Sequence, residues 1–313
     1  MRYLSLLLNE TLIDHVVACS SVKLKAVLEL VRVEHVPPVI LALVAGYFLA
    51  SRVVNYEVLV AGTLVATLAE FSLFALNDYY NIEEDRVNAP WRPLVRGDLA
   101  PKEALGIGVI SLVSALAIAT YLALRYSTYL QLAVLIVFLS LGHAYNVRVK
   151  KVGPVGNLIV ATASSAPLLY GYTLVKVPDV GTLPLLILFY VTATLAMYGR
   201  EVVKGVIDIE GDYRVGIRTW AIVYGREAAQ KIAAMCFFTA IALSLVAVTY
   251  LTSIYAVLTY LPLILLTDAI YARSGLMLLR YRLKRRELEQ IRKGTLLGAG
   301  IALIAYLLVG VLR

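Results

Sequence analysis

Apolar and polar residues do not alternate along this chain. The apolar ones come in long blocks and the polar ones collect at the block ends. A helix needs about 20 apolar residues to cross the hydrocarbon core of a bilayer. Nine blocks of that kind occur, near residues 33–53, 57–77, 104–124, 127–145, 155–175, 183–203, 229–251, 254–272 and 294–312. The pattern predicts an all-α fold, a polytopic bundle of nine transmembrane helices in a single domain over residues 1–313. Pro37 and Pro38 interrupt the start of the first block and predict a bent entry. Residues 1–22 hold a short apolar run broken by Asn9, Glu10, Asp14 and His15. That run is too short, and too poorly flanked, for a signal peptide, so an interfacial helix lying on the membrane is expected.

Composition agrees with the blocks: 60% of the 313 residues are hydrophobic and only 16% charged, and the mean hydropathy is +0.80. That is more apolar surface than a soluble core could bury. The formal net charge of +8 reflects topology rather than a nucleic-acid partner. With nine spans, the connections on one side carry Arg86, Arg92, Arg96 and Lys102, then Arg148, Lys150 and Lys151, then Lys204, Arg214 and Arg218, then the basic run at 280–293. The other side carries only Arg52, Arg125 and Lys176. Positive charge stays inside, so an integral protein of the cell membrane is expected, its N-terminus and its basic connections cytoplasmic. Cys19 and Cys236 are too far apart in sequence for a disulfide framework, and His15, His35 and His143 are too scattered for a zinc site.

Two block ends are dense with acids. One reads Asn77-Asp78-Tyr79-Tyr80-Asn81-Ile82-Glu83-Glu84-Asp85-Arg86; continued as helix, it projects Asn77, Asn81 and Asp85 from one face. The other reads Arg200-Glu201-Val202-Val203-Lys204 and continues to Asp208-Ile209-Glu210-Gly211-Asp212, again with carboxylates four apart. Their separation by roughly 125 residues predicts a duplicated helical unit with its acidic ends face to face. Both fall on the expected cytoplasmic side, and together they expect a cap there, built from the loops that carry the acids. Acids and amides converging with arginines and lysines suit a polyphosphate held through Mg²⁺: acid pairs supply the metal, and the bases neutralise the remaining phosphate charge. If the other end of the diphosphate is an allylic isoprenoid, its departure leaves a resonance-stabilised cation, to which Tyr79, Tyr80, Tyr145 and Tyr198 could offer π faces. A transporter is the competing class, but it would place its charges near the midplane rather than at one face. Asp268, inside the eighth block, is expensive in hydrocarbon and is expected to face the bundle interior.

The same residues resemble the UbiA-type intramembrane prenyltransferases. The first motif runs Asn77-Asp78 through Asp85-Arg86-Val87-Asn88-Ala89-Pro90-Trp91-Arg92-Pro93. A Tyr145-Asn146 loop with Lys150 and Gly156-Asn157 follows, and then Arg200-Glu201 through Asp212. The resemblance implies an Mg²⁺-dependent transferase with Asn77, Asn81, Asp85, Asp208 and Asp212 toward the metal. It gives Asp78, Asp85, Asp208, Asp212 and Tyr145 catalytic positions. Asn77, Asn81, Arg32, Arg86, Arg92, Asn146, Lys150, Arg200 and Lys204 would bind substrate. Asn81 stands where the family has an Asp, and Gly205 where an Asp often follows the lysine; both put the metal shell in question. Asp-Ile-Glu-Gly-Asp followed by Gly216-Ile217-Arg218-Thr219 is closest to the members that build archaeal ether lipids. This implies transfer of a geranylgeranyl group from its diphosphate to the hydroxyl of geranylgeranylglyceryl phosphate, with an aromatic acid as the alternative acceptor. The partners implied are an isoprenoid diphosphate, a lipid-like acceptor and membrane lipid, with no nucleic acid and no protein partner.

Overall fold

A computed structural model describes residues 22–147, 149, 153–214, 216–280 and 283–313. The expected interfacial segment 1–22 thus lies, but for Val22, outside the described residues. Among those residues there are nine long helices and no strand: α1 Val36–Ala50, α2 Tyr56–Tyr80, α3 Pro101–Tyr126, α4 Tyr129–Val147, α5 Pro154–Thr173, α6 Leu183–Ile207, α7 Arg226–Val248, α8 Ile254–Leu278 and α9 Arg285–Leu312. Eight of them are long and apolar enough to cross a membrane. The exception is α5, so the expected count of nine spans becomes eight on these criteria. Its 20 residues include Gly156, Asn157, Thr162, Ser164 and Ser165, which lower its hydropathy.

Those contacts are close. A Cβ on Gly46 of α1 would strike the Leu168 carbonyl of α5, and one on Gly171 of α5 would strike the Leu43 carbonyl of α1. Small residues are what allow two membrane helices to cross backbone to backbone. Around this crossing the helices form a ring: α2 packs on α3, α4 on α5, α5 on α6, α6 on α7, α8 on α9, and α9 closes on α1. Side-chain hydroxyls satisfy themselves inside the helices, as Thr67 Oγ1 does on the Thr63 carbonyl (2.9 Å) and Thr295 on Ile291 (2.8 Å), because hydrocarbon offers them no other partner. Asp268 is buried, as expected, and accepts from Ser244 Oγ at 2.9 and 3.1 Å, joining α8 to α7.

Candidate active site

The acidic stretches lie at the C-terminal ends of α2 and α6, and both are kinked in the same way. At Asn81 the backbone turns to φ −114°, ψ 19° before the short helix Ile82–Asn88; at Asp208 it turns to φ −97°, ψ 12° before Ile209–Arg214. The hydrogen-bond ladder runs through each kink. Asn81 N donates to Asn77 O (3.1 Å) and Asp85 N to Asn81 O (2.8 Å); Asp208 N donates to Lys204 O (3.0 Å) and Asp212 N to Asp208 O (2.9 Å). The face of Asn77, Asn81 and Asp85 is therefore preserved, and Asn81 is the positional counterpart of Asp208. The two short helices touch: a Cβ on Gly211 would strike Asn88 Oδ1. Tyr145, at the end of α4, has Glu201, Glu84 and Asp212 as its charged neighbours, from both acidic stretches.

Asp78, fully buried, fixes two arginines. Arg32 Nη2 donates to its Oδ1 at 2.8 Å and Arg92 Nη1 to its Oδ2 at 3.3 Å. Arg32 does so from the left-handed region (φ 51°, ψ 56°), at the turn between the helical residues 22–30 and α1. That conformation costs a non-glycine residue about 1–2 kcal/mol. The ion pair offsets it, as does the Phe74 ring, whose centroid lies 4.1 Å from the guanidinium carbon. Arg92 is held extended (φ −66°, ψ 142°) by the proline after it. Burial, with Arg92 alongside, lowers the Arg32 pKa from its ordinary value, against the pull of Asp78. Among the described residues, Arg32 Nε, Arg92 Nε, Arg200 Nε and Asp85 Oδ2 are buried without a hydrogen-bond partner. Burial and the charge of Asp78 push the Asp85 carboxyl up to about 6, against the opposing pull of Arg92.

Other expected residues are placed differently. Arg86 is exposed and pairs with Glu83 at 3.2 Å. Asn146 spends its amide on the Leu73 carbonyl (3.0 Å), bracing α4 against α2, and Asn81 donates to the Asn77 carbonyl (2.6 Å) and amide oxygen (3.0 Å). Arg200 lies 3.6 Å from Glu201, and Lys204 is exposed on the last turn of α6. Lys150 lies outside the described residues. Sequence reasoning gave no site role to Asn88, Phe74, His35 or Glu70, although a glutamate inside an apolar block was a readable signal.

Among the described residues, no three His, Cys, Asp or Glu side chains come close enough to cage a metal ion by themselves. Mg²⁺ does not require such a cage, since it binds through one or two carboxylates and completes its shell with phosphate oxygens and water. A buried carboxylate oxygen without a partner, facing a second acidic helix end and flanked by fixed arginines, fits a metal diphosphate better than a free ion.

A model of the UbiA prenyltransferase family matches residues 39–310. A digeranylgeranylglyceryl phosphate synthase of Ignicoccus hospitalis is 33% identical over 259 residues, 78% of this chain and 79% of that one. A solved structure of digeranylgeranylglyceryl phosphate synthase superposes with a TM-score of 0.73 at 24% identity, covering 92% of this chain and 99% of the other. A UbiA homologue from Archaeoglobus fulgidus, bound to DMAPP and Mg²⁺, superposes at 0.61 with 17% identity, covering 90% and 98%.

Proposed function

Because the chain belongs to the UbiA prenyltransferase family, we propose that it transfers a geranylgeranyl group from its diphosphate to the free hydroxyl of geranylgeranylglyceryl phosphate. The observation that carries this reading is the meeting of the two kinked acidic helix ends, Asn88 against Gly211, beside the arginines fixed by Asp78. Relatives with that synthase's name support the acceptor, and so do the arginines. Arg32, Arg92 and Arg200 offer more buried donors than a diphosphate already charge-neutralised by a metal would need, whereas an acceptor with its own phosphate would use them. On this reading α5 also spans the bilayer, the short acidic helices form a cap on the cytoplasmic side, and the protein resides in the cell membrane.

Asn77, Asn81, Asp85, Asp208 and Asp212 would hold Mg²⁺, which when bound neutralises charge on the departing diphosphate. The chain's own bases share that work. Arg32 and Arg92, oriented by Asp78, are preorganised donors for phosphate oxygens, and preorganisation means they need not reorient as charge develops. Lys204, exposed on the last turn of α6, adds further positive charge. The allylic C–O bond breaks with its electron pair leaving on the diphosphate, the acceptor hydroxyl oxygen bonds to the allylic carbon, and the hydroxyl proton departs. The test is incubation of purified protein with geranylgeranyl diphosphate, Mg²⁺ and a set of acceptors, with products read by mass spectrometry. A diether from the glyceryl phosphate is expected; prenylation of an aromatic acid with no diether formed would overturn the acceptor.

A further inference from the structure

Ether formation releases a proton from the acceptor hydroxyl, and none of the residues assigned above takes it. On the reading above the motif acids serve the metal and the phosphate, Asp78 is held by two arginines, and Tyr145 brings a phenol rather than a base. Another carboxylate lies within α2. Glu70 is seven residues before Asn77, two helical turns and about 10 Å further into the bundle, on the same face. It sits inside an otherwise apolar run of a membrane-crossing helix, where an ionisable side chain is costly and marks function. It keeps 22% of its side-chain surface accessible. Among the described residues its one ion-pair partner is His35, Nδ1 to Oε1 at 4.0 Å; the Arg32 guanidinium also acts on it at longer range.

The surroundings connect this carboxylate to the diphosphate end. Phe74, one turn above Glu70 on α2, lies edge-on to the His35 ring with centroids 5.0 Å apart and beneath the Arg32 guanidinium, which holds Asp78. Asp78, Arg32, Phe74, His35 and Glu70 thus form one continuous line from the phosphate-binding arginines into the bundle. His35 is half-exposed and is also acted on by Glu34, Arg200 and Arg92, so it borders the charged end on its other side.

We propose that Glu70 is the general base that removes the acceptor's hydroxyl proton as the ether forms, with His35 positioning it and passing the proton to the charged end. The inference rests on the prenyl-transfer reading given above. The allylic carbon loses the diphosphate with its bonding electron pair; the acceptor oxygen donates a lone pair to that carbon; the O–H electrons stay on oxygen, and the proton goes to a Glu70 carboxylate oxygen. No further reactant is required. Ionisation comes before this proton transfer, so the two can be separated.

The test uses full-length enzyme with Mg²⁺ and geranylgeranyl diphosphate carrying ¹⁸O in the bridging position. Scrambling of that label, measured with an acceptor analogue lacking the hydroxyl, reports ionisation alone; diether formation with the true acceptor reports the whole reaction. Glu70→Gln should keep scrambling within about threefold of wild type and lower kcat for the diether by about 100-fold or more. The retained scrambling also shows that the variant is folded. Glu70→Asp should recover part of the loss. His35→Gln should lower diether formation by a smaller factor without touching scrambling, and add nothing on the Glu70→Gln background. Wild-type diether formation by Glu70→Gln would overturn the assignment, and so would equal loss of scrambling and transfer. If wild-type enzyme scrambles the label and makes no diether, the acceptor reading fails and this inference fails with it.

Discussion

The two ends of the bundle, roughly 35 Å apart along α2, treat charge in opposite ways. At the end where α1 stops and α2 begins, the charged groups Glu57, Asp179 and Arg313 have each settled on a neighbour. Arg313 pairs with Asp179 and donates to the Phe48 carbonyl (3.2 Å), and Asp179 N donates to Ala50 O (2.9 Å). Tyr172 donates to Asp179 O (2.8 Å) and Thr182 to Leu49 O (2.6 Å). Glu57 accepts from Tyr121 (2.8 Å) and Tyr126 (2.5 Å). At the other end, Asp78 holds two arginines whose Nε atoms are buried without partners, as is Asp85 Oδ2. A buried polar atom without a partner costs about 1–3 kcal/mol. One end pairs these charges within the chain, and the other leaves charged side chains with buried, unpartnered atoms, a cost that a charged ligand can offset.

Variants at the two ends should therefore divide function from stability. The largest effects fall on Asp85→Ala and Asp212→Ala, each expected to lower kcat by about 100–1000-fold, with thermal unfolding within a few degrees of wild type. Asp78→Ala should lower both activity and stability, because it leaves Arg32 and Arg92 facing one another without their counter-charge; breaking a buried pair costs about 3–5 kcal/mol, read in detergent unfolding curves. Arg313→Ala should cost about 1 kcal/mol or less, since Asp179 is half exposed, and leave kcat unchanged. A loss of activity in that variant would erase the distinction between the ends.

Acidity sharpens the same comparison. The Asp85 carboxyl is raised to about 6, by burial first. In metal-free protein its ionisation is disfavoured, and this group's contribution to stability falls as pH rises from its unfolded value toward 6. A cation reverses the preference. Mg²⁺ must displace the proton below about pH 6, so the apparent Mg²⁺ affinity should weaken about tenfold per pH unit there and level off above it. The Arg313–Asp179 clasp runs the other way: its hydrogen bond to Arg313 holds the Asp179 carboxyl below its ordinary range, so that end is indifferent to pH between 5 and 8 as read by unfolding.

Much of the charged end was legible in the sequence because acids are expensive in an apolar chain, and Asp85 and Asp212 announced themselves by cost alone. The clasping of Asp78 was not: Arg32 lies 46 residues away, reaches it from a left-handed backbone, and carries no local pattern that points to Asp78. Asn146 matched a family position, yet its amide braces a helix, because packing and binding draw on the same residue types. The fifth block read as a span on length, and its glycines and serines lower its hydropathy below that of the other eight while letting it cross α1 backbone to backbone. The matched kinks at Asn81 and Asp208 followed from no propensity.

The central claim is that the two acidic helix ends make one diphosphate site. Titration calorimetry with Mg²⁺ and geranylgeranyl thiodiphosphate, a slowly reacting analogue, tests it most directly in wild type, Asp85→Ala, Asp212→Ala and the double variant. The account predicts one analogue per chain, loss of nearly all binding in each single variant, and a double variant no worse than either. Two analogues per chain, or single variants that each abolish half of the binding and add in the double, would contradict it.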